Sequence, residues 1–151
     1  MLYSILLPLH SILRWVIIIL AVITIGRALY GWLGRKPWTP LDSRLSSYFT
    51  ITFDVQILIG LILYFISPLM QIAFLDSGGA MGNASMRFFA VEHIFMMILA
   101  LGVAHGGRTL ARKAKDDFKK HRNAAIFYTL ALLIVLAAIP WATRSLFPFG
   151  G

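Results

Sequence analysis

Four long apolar runs divide the chain, and their lengths limit what it can fold into. They cover residues 5–32, 48–70, 88–107 and 124–141 of the 151. The last three are each about twenty residues long, the length that an α-helix needs to cross roughly 30 Å of hydrocarbon. The first run is too long for a signal-peptide core and lacks a preceding basic segment, so we interpret it as a retained helix. The pattern predicts an all-α integral membrane protein, with residues 1–151 forming a single transmembrane domain that is an antiparallel four-helix bundle.

The composition favours a membrane protein and excludes several kinds of chemistry. Hydrophobic residues make up 59% of the chain, and the mean hydropathy is +0.80. Both values are typical of one compact membrane domain, with no room for a separate soluble domain. The chain contains no cysteine, which excludes disulfides, thiolate chemistry, cysteine-ligated clusters and thioether attachment of haem.

The net charge of +8 comes from basic residues that are concentrated in two connections. Eleven of the 14 lysines and arginines lie around the first connection or in the third: Arg27, Arg35, Lys36, Arg44, Arg108, Arg112, Lys113, Lys115, Lys119, Lys120 and Arg122. Only Arg14, Arg87 and Arg144 belong to the other half of the bundle. By the positive-inside rule, the two basic connections are cytoplasmic and both termini lie outside. We therefore expect the charge to set the topology rather than to bind nucleic acid, with contacts to anionic lipid head groups as the alternative.

Two histidines lie near the starts of the first and third runs. His10 and His93 are each about five to six residues from the outer end of their helix, roughly 8–9 Å below the outer surface at the helical rise. In an antiparallel bundle these two helices enter from the same side, so the imidazoles share a depth. Small residues follow on each helical stripe: Ala21, Thr24 and Ala28, and Ala100 and Ala104. Matched histidines suit a haem iron; the alternative is a histidine bonded to backbone, lipid or a neighbouring helix.

Two charged residues accompany these histidines. Arg14 lies one turn deeper than His10, where it would pair with a haem propionate, snorkel to the interface or pair with Glu92. Glu92 directly precedes His93 but projects about 100° away from it on a helix. Its role stays open between orienting another group, accepting a quinol proton and lying near the head groups.

A second polar cluster is expected nearer the cytoplasm. Arg27 lies near the inner end of the first helix, Asp54 near the inner start of the second and His105 near the inner end of the third. An aspartate inside lipid needs a partner, which Arg27 or His105 can supply. A structural ion pair is the favoured interpretation, with a proton relay or the edge of a second cofactor as alternatives. Gln56 and Gly60 share a face of the second helix, which favours helix packing over quinone binding.

The segments between and after the apolar runs support fewer predictions. Ser46 and Ser47 are the expected caps of the second helix. Residues 71–86 are expected to form the longest external connection, a loop whose stretch 77–83 is flexible, with a lid or a partner contact as the alternative. His121, in the basic third connection, is expected to be solvated, and the tail at 147–151 is expected to be unstructured.

Four segments carry a resemblance to a known family. They are LPLHSILRW at 7–15, DVQILIGLILYF at 54–65, RFFAVEH at 87–93 and IPW at 139–141. Together they resemble the small four-helix bacterial membrane proteins described as cytochrome b-like, over nearly the whole chain. The resemblance implies haem b, electron exchange with the quinone pool and a place in the bacterial inner membrane. It also implies that the histidines at 10 and 93 are the axial ligands.

One departure from that family's pattern and one fainter resemblance bear on the expected haem site. Relatives in that family carry a histidine near the position of Asp54, so the aspartate here argues against a second haem opposite His105. The pair Leu9-His10, followed by Trp15, more faintly resembles the four-helix superfamily of copper-resistance D-type proteins and oxygen-independent protoporphyrinogen oxidases. Those proteins also use membrane histidines.

The leading hypothesis is a membrane b-type haem protein that moves electrons between quinol and a partner outside the cytoplasm. Ligation by two histidines leaves no open iron position, which favours electron transfer over oxygen chemistry. Whether the chain is an enzyme stays open. The second hypothesis is an enzyme acting on a porphyrin or a quinone, with Glu92 or the Asp54 cluster handling protons. The third is a non-catalytic accessory subunit of a respiratory complex. The expected partners are the lipid bilayer, the quinone pool, and respiratory subunits or a second copy.

Overall fold

The computed structural model describes residues 1–141 and is helical throughout most of that length. Its elements are α1 (Leu2–Leu33), α2 (Pro40–Ile66), α3 (Pro68–Leu75), α4 (Ser77–Gly82), α5 (Ala84–Arg87), a π-helical turn (Phe88–Glu92), α6 (His93–Lys113) and α7 (Asp117–Ala138). Arg144 and the tail at 147–151, for which the sequence makes predictions, lie outside the described residues.

Four helical segments are long and apolar enough to cross a membrane. They are α1, α2, the continuous stretch Ala84–Lys113 and α7. Helix α1 packs against α2 and α7, and α6 packs against α7 and, less extensively, α2. The four helices therefore surround a common interior.

Alanines and three aromatic side chains fill that interior. Ala21 and Ala28 of α1 and Ala100 and Ala104 of α6 are buried, as the small-residue stripes predict. The rings of Phe49, Phe53 and Tyr128 lie among them, with the Phe49 and Tyr128 centroids 5.3 Å apart. Small side chains bring the helix backbones close, and the aromatic rings occupy the space between them.

Helix α2 begins at Pro40 rather than near residue 48, because its cap lies upstream of the apolar run. Thr39 and Asp42 form a capping box, with the Thr39 backbone N–H donating to the Asp42 carboxylate at 2.8 Å. Pro40 occupies the first turn, where a missing N–H costs nothing. The prediction that Ser46 and Ser47 cap this helix is therefore wrong.

The connection between the second and third apolar runs is more ordered than its glycines suggest. Ser67 breaks the helix before Pro68, and residues 68–87 then form the three short helices α3, α4 and α5. Asp76 and Asn83 cap the second and third of these through their side chains. Met70, Ala73 and Ala80 form a small buried cluster against the rest of the protein. The flexible loop predicted over 71–86 is wrong, because local caps and this second apolar cluster fold the segment.

The third connection is short, because both flanking helices extend beyond the apolar runs. Helix α6 continues through the basic residues to Lys113, and α7 begins at Asp117, where the Asp116 side chain accepts from the Lys119 N–H at 2.8 Å. Helix α7 ends at Ala138, ahead of Pro140. Gly107 of α6 faces Phe127 of α7 so closely that a Cβ would collide with it.

His121 is buried, so the prediction that it is solvated is wrong. It lies in the first turns of α7 with 1% of its surface exposed. Its Nε2 donates to the Pro37 carbonyl at 3.3 Å, and its ring centroid lies 4.9 Å from that of Trp38. A Cβ on Gly31 would collide with the ring. The imidazole therefore joins the end of α1 and the first connection to α7.

This contact predicts opposite effects for two glycines of α1. Gly31→Ala should lower the free energy of unfolding by about 1–3 kcal/mol, because the methyl group forces the His121 ring out of its place. Gly26→Ala, the matched control, should raise it by about 0.5–1 kcal/mol, since its Cβ would meet nothing within 4 Å and alanine favours the helix. Thermal unfolding in detergent measures both. Equal midpoints for the two variants would contradict the packing described for His121.

Candidate functional site: a cavity with two facing histidines

A cavity of about 380 Å³ lies among the helices, at the end where α1 begins and α7 ends. Its volume is within the range of small-molecule and cofactor sites. Most of its wall is apolar and includes Ile17, Phe53, Met97 and Val135. The polar groups in the wall are few, so each of them bears on what the cavity can hold.

His10 of α1 and His93 of α6 both line this cavity and face one another. Their ring centroids are 6.5 Å apart, and the ring planes are inclined by 67°. With metal–nitrogen bonds of about 2 Å, two imidazoles on opposite sides of one metal ion have centroids roughly 6 Å apart. The spacing of the two histidines therefore fits a single metal centre between them.

A backbone carbonyl orients the His93 ring. The Nδ1 of His93 lies 2.7 Å from the carbonyl oxygen of Ala138, at the last residue of α7. A carbonyl only accepts, so Nδ1 carries the proton and Nε2 of the neutral ring keeps its lone pair. Metal-binding histidines usually donate their other nitrogen to a carbonyl or carboxylate in this way. The contact leaves Nε2 of His93 available to bind another group.

The His10 ring lies against Gly60 of α2, where a side chain would crowd it. A Cβ at Gly60 would be 3.2 Å from the His10 Cε1. The His10 carbonyl accepts a hydrogen bond from Nε2 of Gln56 at 2.8 Å. The Nδ1 of the ring is buried and has no partner among the described residues. His10 is thus held through its backbone carbonyl, while Nδ1 of its ring is left without a hydrogen bond from the described residues.

Gln56 belongs to the cavity rather than only to helix packing. Its side chain is 7% exposed and its Oε1 is buried without a partner in the described part of the chain. Gln56 and Gly60 both line the cavity. The face of α2 that they share is therefore the face that meets the cavity. That pattern left packing and ligand binding open, and the structure shows that this face contacts His10.

Arg14 also lines the cavity, one turn along α1 from His10. Its guanidinium carbon lies 5.6 Å from the centroid of the Trp15 ring, close enough for a cation–π contact. The sequence offers three roles for Arg14, one of which is an ion pair with Glu92. In the structure Glu92 pairs instead with Arg87, whose Nε donates to the Glu92 carboxylate at 3.1 Å. Glu92 is thus held by Arg87 and is not among the cavity-lining residues, so the alternative in which it pairs with Arg14 is not the arrangement found.

The turn before His93 is π-helical, which the sequence does not reveal. The His93 N–H donates to the Phe88 carbonyl, five residues back. This spacing brings both Phe88 and Phe89 against the imidazole, with centroids 5.7 Å and 6.3 Å from it. The Tyr64 hydroxyl donates to the Ala90 carbonyl within the turn at 2.9 Å. Such turns occur frequently at functional sites, and here the turn fixes the surroundings of a cavity histidine.

The second predicted cluster separates into two pairs. Nε2 of His105 lies 2.7 Å from Oδ1 of Asp54, joining α6 to α2. Arg27 does not join them, and its Nε instead donates to the buried Asp42 carboxylate at 3.1 Å. Of the two partners that the sequence offers for Asp54, the structure has His105, while Arg27 bonds Asp42 because the helix start at Pro40 supplies a nearer carboxylate. Neither pair lines the cavity.

The donor set of the cavity fits a group that brings most of its own metal ligands. Among the described residues, no group of three or more histidine, cysteine, aspartate or glutamate side chains is placed to hold a metal ion. Haem needs only two axial ligands from the protein, and the facing imidazoles of His10 and His93 supply that number. No protein-family model, no curated protein and no solved structure matches this chain.

The hydrogen bond from Tyr64 generates a prediction about the π-helical turn. Tyr64→Phe keeps the ring but leaves the Ala90 carbonyl without its donor, so we expect the turn to open more easily by about 0.5–1.5 kcal/mol. Hydrogen–deuterium exchange of residues 88–93 should then quicken. Tyr48→Phe, on the same helix but with 54% of the side chain exposed, is the control and should leave that segment unchanged. Unchanged exchange in Tyr64→Phe would contradict an anchoring role.

Proposed function

We propose that this chain is a membrane b-type haem protein that carries electrons between the quinone pool and a partner outside the cytoplasm. His10 and His93 would be the axial ligands. The proposal rests on the position of their rings, whose centroids lie 6.5 Å apart in a cavity of about 380 Å³. The Ala138 carbonyl supports it, because it leaves the Nε2 of His93 as the ligating atom.

The chain's own residues define what chemistry the site favours. When bound, haem supplies a one-electron redox centre held within the protein. Binding of the group by two protein histidines would favour electron transfer over reaction with oxygen. The wall around the centre would be mostly apolar and includes Ile17, Met97 and Val135. Arg14 lies in the same wall, where its charge would offset a propionate.

The membrane arrangement belongs to the same proposal. The four long apolar segments would cross the bilayer as an antiparallel bundle in the bacterial inner membrane. The basic connections between α1 and α2 and between α6 and α7 would be cytoplasmic, and both termini would lie outside. The cavity is then in the outer half of the membrane, because it lies at the end of the bundle remote from those connections. A partner outside the cytoplasm is nearest to a centre at that depth.

Two unpartnered polar atoms favour a second candidate, an enzyme acting on a porphyrin or a quinone. Among the described residues, Nδ1 of His10 and Oε1 of Gln56 are buried without partners beside the cavity. They suit a ligand with hydrogen-bonding groups of its own. This candidate requires turnover and a labile or missing axial ligand. The third candidate, an accessory subunit of a respiratory complex, requires a colourless protein that purifies with a stable partner.

The proposal predicts that haem binding depends on two of the four histidines. Wild-type protein expressed with adequate haem should contain about one haem per chain by pyridine haemochromogen assay, since the cavity presents one pair of facing imidazoles. His10→Ala and His93→Ala should each lose most of the haem or convert it to the high-spin form. His105→Ala is the matched control, because His105 does not line the cavity, and should keep the haem. Equal haem content in all four proteins would contradict the assignment.

The proposal predicts that replacing Arg14 has a different effect from replacing His10 or His93. Arg14→Gln should keep a low-spin absorption spectrum, because both imidazoles remain, while weakening haem retention by about tenfold through loss of a charge near the propionates. Transfer of haem to excess apomyoglobin measures that retention. Arg87→Gln, outside the cavity wall, is the control. A high-spin spectrum in Arg14→Gln would show that Arg14 acts on the ligation itself.

A further inference from the structure

The two cavity histidines differ in what their Nδ1 atoms contact. Nδ1 of His93 lies 2.7 Å from the carbonyl oxygen of Ala138, which accepts its proton. Nδ1 of His10 is buried, and no described residue forms a hydrogen bond with it. Histidines that bind a metal usually donate their other ring nitrogen to a carbonyl, a carboxylate or water. As an axial ligand, His10 therefore lacks a contact that His93 already has.

The orientation of the His10 ring favours Nε2 as its ligating atom. A Cβ at Gly60 of α2 would lie 3.2 Å from Cε1 of the ring and 3.8 Å from Nδ1, whereas Nε2 is not within 4 Å. The ring edge with Nδ1 and Cε1 is therefore turned toward α2, and Nε2 is farther from that helix. A neutral imidazole that binds a metal through Nε2 carries its proton on Nδ1. Nδ1 of His10 is then a donor on the side of α2.

Gln56, one turn before Gly60 on α2, carries the complementary acceptor. Its Nε2 donates to the His10 carbonyl at 2.8 Å. Because a carbonyl only accepts, this contact identifies which end of the amide is the nitrogen and which is Oε1. Gln56 is 7% exposed, and its Oε1 is buried without a partner in the described part of the chain. The same amide that contacts the backbone of residue 10 thus has an unused acceptor.

We propose that Gln56 is a positioning residue for His10, whose Nδ1 donates its proton to Oε1 of Gln56 while Nε2 of His10 binds the haem iron. The inference rests on the proposed function, because it needs His10 to be an axial ligand. The two unpartnered atoms are a donor and an acceptor in one contact between α1 and α2, so a single hydrogen bond satisfies both. Their pairing requires no further hydrogen-bonding ligand, unlike the enzyme candidate.

This role of Gln56 bears on the redox properties of the site. A hydrogen bond from the outer nitrogen of a ligating histidine makes the imidazole a more basic ligand. A more basic ligand stabilises the more highly charged ferric state, which lowers the reduction potential. Gln56 therefore affects the potential without touching the iron, and the reduction potential reports this role more directly than the stability of the protein does.

Reduction potentials of three variants test the inference. Gln56→Leu nearly keeps the side-chain volume but removes the acceptor, so the ratio of reduced to oxidised protein at a fixed ambient potential should rise about tenfold, or about 59 mV. Gln56→Glu keeps an acceptor oxygen in either protonation state and should return the potential to the wild-type value or below it. Thr52→Val, one turn away on α2 and outside the cavity wall, is the control and should leave the potential unchanged.

A second measurement removes the charge of the glutamate from the comparison. In His10→Gly, added imidazole replaces the missing ring and can donate its N–H to Gln56, whereas 1-methylimidazole has no N–H to donate. The preference for imidazole over 1-methylimidazole, measured by conversion of the absorption spectrum to low spin, should fall about tenfold when Gln56→Leu is added to His10→Gly. The backbone carbonyl of residue 10 is present in both proteins, so the change reports on the ring contact alone.

The possible results separate this inference from the haem proposal. Equal potentials in haem-containing wild type and Gln56→Leu would overturn the inference alone, as would an equal imidazole preference in the two His10→Gly proteins. A potential that rises equally in Gln56→Leu and Gln56→Glu would also overturn it, because Gln56 would then act only through the His10 carbonyl. A wild-type protein without haem would contradict the proposed function and this inference together.

Discussion

The hydrogen bond between His93 and the end of α7 connects the helical framework to the cavity. The last carbonyls of any helix lack partners within it, and α7 ends at Ala138 because Pro140 follows two residues later. One of those carbonyls, that of Ala138, accepts the proton on Nδ1 of His93. The same contact thus satisfies a helix terminus, joins α6 to α7 and leaves the other ring nitrogen with its lone pair. The proposed cofactor site follows from how this helix ends.

Polar groups inside the apolar segments are handled in two ways in this structure. Some bond to backbone within the bundle, as Gln56 does with His10 and Tyr64 with Ala90. Others pair across a helix contact, as Arg108 does with Ser47, to whose hydroxyl its guanidinium donates at 2.8 Å. In lipid an unpaired polar group is costly, because no water is present to hydrogen-bond it. Each arrangement supplies that hydrogen bond from within the protein. Beside the cavity, Nδ1 of His10 and Oε1 of Gln56 have neither kind of partner among the described residues, and they are therefore the atoms that indicate a ligand.

Patterns with a helical period were predictable from the sequence, and contacts across the chain were not. The four long helices and the buried stripes of α1 and α6 follow from apolar spacing alone, since the period fixes which face turns inward. The pairing of Arg27 with Asp42 depends on where α2 begins, and that start depends on a capping box outside the apolar run. The burial of His121 depends on Gly31, ninety residues earlier, which no local pattern reports. The π-helical turn before His93 likewise has no sequence period of its own.

That His10 and His93 lie at the same end of the bundle is predictable by counting residues. The closeness of their rings is not, because it depends on Gly60, Ala138 and the rotation of two helices. The most direct test of the central claim, that these two imidazoles bind one haem iron, is an electron paramagnetic resonance spectrum of the oxidised wild-type protein. We expect a low-spin ferric signal of the kind given by two imidazole ligands. A high-spin signal, or no haem signal from protein expressed with adequate haem, would contradict it.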